Sequence, residues 1–255
     1  MKPLKILLAI LTSYMFLTAN EAFGQQNETA REVIEKAHRK ANGESSKGYM
    51  TMTIVRPDWT REISMKTWSL GTEFYMIYIT APARDKGQVF MKRHEDMWNW
   101  MPNINRMIKL PPSMMGQSWM GSDFTNDDLV KMNSIIDDYE HEFIGEGVVD
   151  GHECHKVELI PKPDAAVVWG KIIMWVSKDE YFEMKAEYYD EEEELVNTML
   201  ASEIEEMGDR RLPSKMNMIP ADKEGHETRM HMVEMEFNIP IEESFFSQQN
   251  MKRIR

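Results

Sequence analysis

From Lys47 to Phe237 the chain returns again and again to a two-residue alternation of apolar and polar side chains. That period constrains the fold more than any other feature, because successive side chains of a strand point to opposite faces. Met50, Met52 and Ile54 alternate with Thr51, Thr53 and Val55, and Arg61, Ile63, Met65 and Thr67 alternate with Glu62, Ser64, Lys66 and Trp68. Lys86 to Arg93, Asp96 to Met101 and Ile104 to Leu110 read as further short strands at hairpin spacing. Val157 and Leu159, then Phe182, Met184, Ala186 and Tyr188, then Leu212, Ser214, Met216 and Met218 continue the pattern. Arg229 to Phe237 closes the series, and the differing parity of Met232 and Met235 predicts a bulge between them. Phe74 to Thr80 and Lys171 to Ser177 are apolar on both parities, so alternation does not say which of their faces turns inward.

The period is 3.6 in one place before the strands begin. Ala30, Val33, Ile34, Ala37 and Ala41 form a narrow alanine-rich stripe, suited to lying flat against a sheet. Asn27 or Thr29 caps its start and Asn42-Gly43 ends it. A segment without a clear period, Pro111 to Asp128, interrupts the strands, with a short helix expected near Asp127 to Met132. Ile241 to Met251 reads as a terminal helical turn with Phe245 and Phe246 inward. Many consecutive strands with turn signals predict a mainly β fold with a few helices, built on one antiparallel sheet, curled or closed. No linker, composition shift or internal repeat divides the chain, so one domain over residues 25–255 is expected.

Residues 1–24 carry a different signal. Lys2 and Lys5 precede an apolar run from Ile6 to Leu17, and Ala22-Phe23-Gly24 supplies small residues around a cut before Gln25. This is the layout of a secretory signal peptide, and its apolar core is too short to span a bilayer. Loss of Lys2, Lys5 and Glu21 would take the formal charge from −13 to −14. So acidic a chain does not suit nucleic-acid backbones or anionic membrane surfaces. A single cysteine, Cys154, allows no internal disulfide in an exported chain, so stability must come from a packed core.

Catalytic motifs are missing: there is no G-x-S-x-G elbow, phosphate-binding loop or H-E-x-x-H helix, and no enzyme or cofactor is expected. His152, Cys154 and His155 are the tightest soft-ligand cluster, but in a strand 155 points away from 152 and 154. Asp123, Asp127 and Asp128 lack the pattern of a calcium loop and suit a helix start. His226, Met230, His231, Met232 and Met235 are copper-type ligands by softness, yet the methionines are spread along all the strands. Their number, 24, is the anomaly. Met is flexible and polarizable and conforms to irregular apolar ligands, although a Met-rich core alone would also account for it.

The segment from Leu110 to Asp128 places Met114, Met115, Trp119, Met120 and Phe124 in a loop punctuated by Pro and Gly. Loops normally cross the surface and are polar. An apolar loop of this length is therefore either a flap over an apolar cavity or a closure for one end of a barrel. The run Arg106-Met-Ile-Lys-Leu-Pro-Pro-Ser-Met-Met-Gly-Gln-Ser-Trp-Met-Gly-Ser-Asp-Phe-Thr-Asn-Asp-Asp128, preceded by Trp98-Asn-Trp-Met-Pro-Asn-Ile-Asn-Arg106, resembles the bacterial outer-membrane lipoprotein-sorting protein family related to the LolA carriers. The resemblance covers essentially the whole chain after residue 24. It implies a strongly curved antiparallel sheet or incomplete barrel with helices plugging an apolar cavity, and a periplasmic home. It implies acyl chains of lipoproteins or lipids as cargo, with an inner-membrane transporter and an outer-membrane acceptor as partners. The lining or rim is expected from Met50, Met52, Met65, Trp98, Trp100, Met114, Met115, Trp119, Met120 and Phe124, and Trp68 and Trp175 are further candidates. The alternative is an accessory module that binds an exporter or envelope partner through the Met-rich loop, without lipid.

Overall fold

The computed structural model describes residues 28–131 and 134–255. The expected signal peptide lies outside them, as does Met132 at the end of the expected short helix. The first element is helix α1 (Ala30–Asn42). Thr29 caps it, with Glu32 reaching back in a capping box, and Gly43 ends it at φ 64°, in the left-handed region that glycine tolerates. Six strands follow: β1 (Ser45–Arg56), β2 (Trp59–Leu70), β3 (Phe74–Ala81), β4 (Val89–Arg93), β5 (Asp96–Met101) and β6 (Arg106–Lys109). Residues 110–131 and 134–138 then belong to a long strap that contains helix α2 (Asn126–Lys131). Seven more strands complete the sheet: β7 (Tyr139–Val149), β8 (His152–Pro161), β9 (Lys171–Ser177), β10 (Glu183–Tyr189), β11 (Leu195–Met207), β12 (Arg210–Pro220) and β13 (Glu227–Phe237). A one-turn helix, α3 (Gln248–Met251), stands near the end of the chain.

All 13 strands belong to one sheet, in the order β6-β5-β4-β3-β2-β1-β13-β12-β11-β10-β9-β8-β7, and every pairing is antiparallel. β6 and β7 are the edges and do not pair, so the sheet is open and the closed barrel is ruled out. The topology is two hairpin ladders, β1–β6 and β7–β13, joined at the β1–β13 seam. At that seam the expected bulge is present: Tyr49 faces Glu234 while Met50 faces Met232, leaving Val233 as the extra residue. Register also shifts in the β2–β3, β7–β8, β9–β10 and β10–β11 pairs. Such bulges bend and twist a sheet locally.

The curvature follows from what shares a space. Tyr75 and Ile77 of β3 and Ile172 and Met174 of β9 line one cavity. Their strands are seven positions apart, roughly 34 Å on a flat sheet at about 4.8 Å per strand. The sheet must therefore wrap. Its concave face is covered by two plugs. The apolar stripe of α1 (Ala30, Val33, Ile34, Ala37) packs with Val157, Leu159, Ile172, Met174, Ala186 and Met218 of the second ladder. Trp119 of the strap packs with Met52, Ile54, Ile63, Met65, Ile77 and Phe90 of the first.

The convex face of β2–β5 is buried as well, which the period-two reading could not show. There the chain after β13 folds back, and Phe246 and Met251 pack on Phe74, Met76, Tyr78, Val89, Met91 and Trp100. Phe246 is fully buried, 5.4 Å from the Phe74 ring, and its carbonyl accepts a hydrogen bond from Arg93. Cys154 is a free, buried thiol on β8, as expected for a small hydrophobe.

Candidate functional site

Between the wrapped sheet, α1 and the strap lies a cavity of about 240 Å³. Nine methionines line it, from β1, β2, β9, β11, β12 and β13: Met50, Met65, Met174, Met199, Met216, Met218, Met230, Met232 and Met235. Ile34, Ala37 and Ala41 of α1 and Trp119, Phe124, Leu129 and Ile135 of the strap complete the apolar wall. Thioethers have no directional demand and rearrange easily, so this wall can adapt to a flexible apolar guest. One close approach shapes the floor: a Cβ on Gly48 of β1 would run into the Met235 side chain, so the glycine is what lets Met235 lie flat there.

The strap is latched at several points. Arg56 holds Asp123 through two 3.0 Å bonds and donates to the Gly121 carbonyl at 2.8 Å, and Thr228 Oγ1 donates to Asp123 at 2.6 Å. Both partners of the ion pair are nearly buried, with side-chain exposures of 10% and 5%. Trp169 Nε1 donates to Asp128 at 2.8 Å, and Thr125 caps α2 by exchanging bonds with Asp128. Arg31 of α1 donates to the Ile136 carbonyl and to Asp137. Trp119, the strap's deepest residue, meets Phe90 edge-on at 5.4 Å. Its indole N–H has no acceptor among the described residues.

Polar groups are few and uneven. The Glu183 side chain faces the cavity and has no hydrogen-bond partner among the described residues; burial pushes its carboxyl up to about 7. Burial raises Asp128 too, although the Thr125 and Trp169 N–H groups hold it down. The phenols of Tyr139 and Tyr188 are raised by the same loss of water and by neighbouring acidic groups. Lys40, the wall's one lysine, is paired with Glu180 at 3.2 Å.

The expected lining residues divide by position. Met50, Met65, Trp119 and Phe124 are on the cavity wall. Met52 is on the same face but fully buried beneath the strap, and Met115 and Met120 pack half-buried into that cluster. Met114 is exposed. Trp98 and Trp100 are corrected: they share the convex face with the C-terminal segment, and Lys252 lies 5.3 Å over the Trp100 ring. Trp68 and Trp175 face outward as well, Trp68 against Phe245 and Trp175 between Lys156 and Lys185. The reading missed Trp169, a wall residue in the loop before β9, and the methionines of β9, β11 and β12; those of β13 it weighed only as soft metal ligands. Among the described residues no three His, Cys, Asp or Glu side chains are gathered as a metal site would need, and no helix is long and apolar enough to cross a membrane.

An open, wrapped antiparallel sheet with helices on its concave face and an apolar cavity between them is a LolA-like fold. The chain is similar to a DUF1329 family protein from Desulfovibrio piger, with a TM-score of 0.78 at 22% identity over 88% of this chain and 99% of that one. It is similar to a domain from Vibrio parahaemolyticus assigned to outer membrane lipoprotein sorting, at 0.78 and 22% over 88% and 98%. It is also similar to a LolA superfamily protein from Nitrosomonas europaea, at 0.75 and 22% over 87% and 99%. A family model described as "Uncharacterized protein" matches residues 71–253, well over half of the chain, and the chain belongs to that family. No curated protein matches it.

Proposed function

We propose that this protein is a periplasmic carrier that takes acyl chains of lipoproteins or lipids into the methionine-lined cavity and hands them on toward the outer membrane. The carrying observation is the cavity itself: an adaptable, methionine-rich apolar wall enclosed by the sheet, α1 and the strap. Removal of acyl carbons from water is worth about 0.8 kcal/mol per CH₂, so a chain of about fourteen carbons gains on the order of 10 kcal/mol before ordering costs. The kinship in fold with a LolA superfamily protein and a lipoprotein-sorting domain supports the same reading. An inner-membrane transporter would load the carrier and an outer-membrane acceptor would unload it. The role is binding, not catalysis, and export proceeds by cleavage of residues 1–24, which N-terminal sequencing of periplasmic protein checks.

The strap acts as the lid. The unmet Trp119 N–H is a buried polar group without a partner, a cost of about 1–3 kcal/mol that withdrawal into a wetter site relieves. The test is native mass spectrometry with solvent extraction, on protein purified from the periplasm without detergent. A phospholipid or acylated peptide should co-purify. The Met115→Gln/Trp119→Gln double variant should lose it while keeping the wild-type circular dichroism spectrum. Unchanged occupancy in that variant would remove the lid assignment, and a bare wild-type protein that takes up no acyl probe would remove the carrier.

A further inference from the structure

One acidic group of the cavity lacks a partner, and this deepens the carrier reading, on which it rests. Glu183 opens β10 at a register shift, where Glu183 faces Val176 and Lys185 faces Trp175. Phe182 and Met184 on either side are both buried, which fixes the backbone and leaves the carboxyl directed at the cavity. The carboxyl has no hydrogen bond or ion pair among the described residues, and loss of water is what perturbs it. The titratable groups facing the same space are Asp127 and Asp128 from α2, Tyr139 from β7, Tyr181 just before β10, Tyr188 from β10, Tyr75 from β3, and His38 and Lys40 from α1. Asp128 is already satisfied by two N–H donors, and Lys40 is taken by Glu180. Glu183 is therefore a surplus acceptor in an apolar chamber. An unpaired buried carboxylate is strongly unfavourable, and the group that relieves it is a donor or a cation.

We propose that Glu183 reads the polar end of the cargo: the cavity takes an acyl group whose head offers an N–H or O–H donor and rejects a free fatty-acid carboxylate. An amide-linked chain and a glyceride both meet this condition, and the anionic soap of the same chain does not.

The experiment uses the full mature protein at pH 8.5, where Glu183 is ionised, and displacement of the neutral dye N-phenyl-1-naphthylamine. The competitors share a twelve-carbon chain: dodecanamide, 1-monolauroylglycerol and dodecanoate. The two neutral competitors should displace the dye at concentrations at least about tenfold below dodecanoate. Glu183→Gln should bring the three within about threefold of one another, chiefly by admitting dodecanoate. A lead of dodecanamide over the glyceride would point to an amide-linked source, and the reverse to a glyceride. Equal displacement by all three on the wild-type protein would overturn the head-group inference and leave the carrier standing. A preference that survives Glu183→Gln would overturn the assignment to this residue. Failure of every competitor and of the dye to bind would overturn the carrier reading itself.

Discussion

The same carboxyl makes a prediction about folding that needs no ligand. Glu183 carries a folded-state pKa of about 7 against an ordinary 4.5, because burial penalises its charge. Between those values the folded protein holds a proton that the unfolded chain has released. Stability from this group is therefore fully present below about pH 4.5, declines as pH rises, and levels off above about 7. The gap is worth about 1.4 kcal/mol per pH unit, on the order of 3 kcal/mol in all. Glu183→Gln keeps the shape and removes the titration. Urea unfolding followed by circular dichroism, from pH 4.5 to 8.5, would give the difference in unfolding free energy between variant and wild type. That difference should shift toward the variant by up to on the order of 3 kcal/mol across the range. Asp128 is also raised by burial and faces the same space, so the comparison reads the Glu183 carboxyl together with its coupling to Asp128. A difference that stays flat with pH would mean that the Glu183 carboxyl reaches water, and the argument for a surplus buried acceptor would fail with it.

Arg56→Met leaves Asp123 buried without its cation and should cost about 3–5 kcal/mol by urea unfolding, with faster proteolytic cleavage in residues 114–124. Stability equal to wild type would show that the Thr228 hydroxyl alone satisfies the buried Asp123. Phe246→Ala should cost about 3–5 kcal/mol while leaving acyl-probe affinity unchanged, because Phe246 serves the convex face. A large affinity loss in the folded variant would connect the two faces. Gly48→Val should displace Met235 into the cavity and weaken long-chain probes more than short ones; a uniform effect in a titration series would argue against a floor at this point.

Local chemistry was enough to read the helix and many of the strands. Of the two caps the sequence offered, Asn27 and Thr29, the structure uses Thr29, Gly43 ends α1 as expected, and the Met232/Met235 parity change locates the seam bulge. β7 and β11 escaped the alternation for physical reasons. β7 is an edge strand that exposes Glu140, Glu142, Ile144 and Glu146, and β11 ends in a glutamate-rich stretch partly turned to solvent, so neither has a clean apolar parity. The site was half-legible. Period-two reasoning groups side chains by face but does not say which face is concave. Trp98 and Trp100 share a face with Met76 and Met91 through cross-strand register, and that face is covered by residues 241–254, a contact between positions far apart in sequence. Glu183 carried no motif at all; only the fold shows that a glutamate at the start of a strand has lost its water.

The strap joins the last residue of β6 to the first of β7, and those two strands are the free edges of the sheet. It thus bridges the two edges of the open sheet as well as covering the chamber. Any splaying of the two ladders about the β1–β13 seam draws on its ends, and the pull falls on a segment pinned in the middle by Arg56 and Trp169. Aperture and cover are set by one length of chain, as in a drawstring. A partner that gripped either edge strand would therefore act on the strap from a distance.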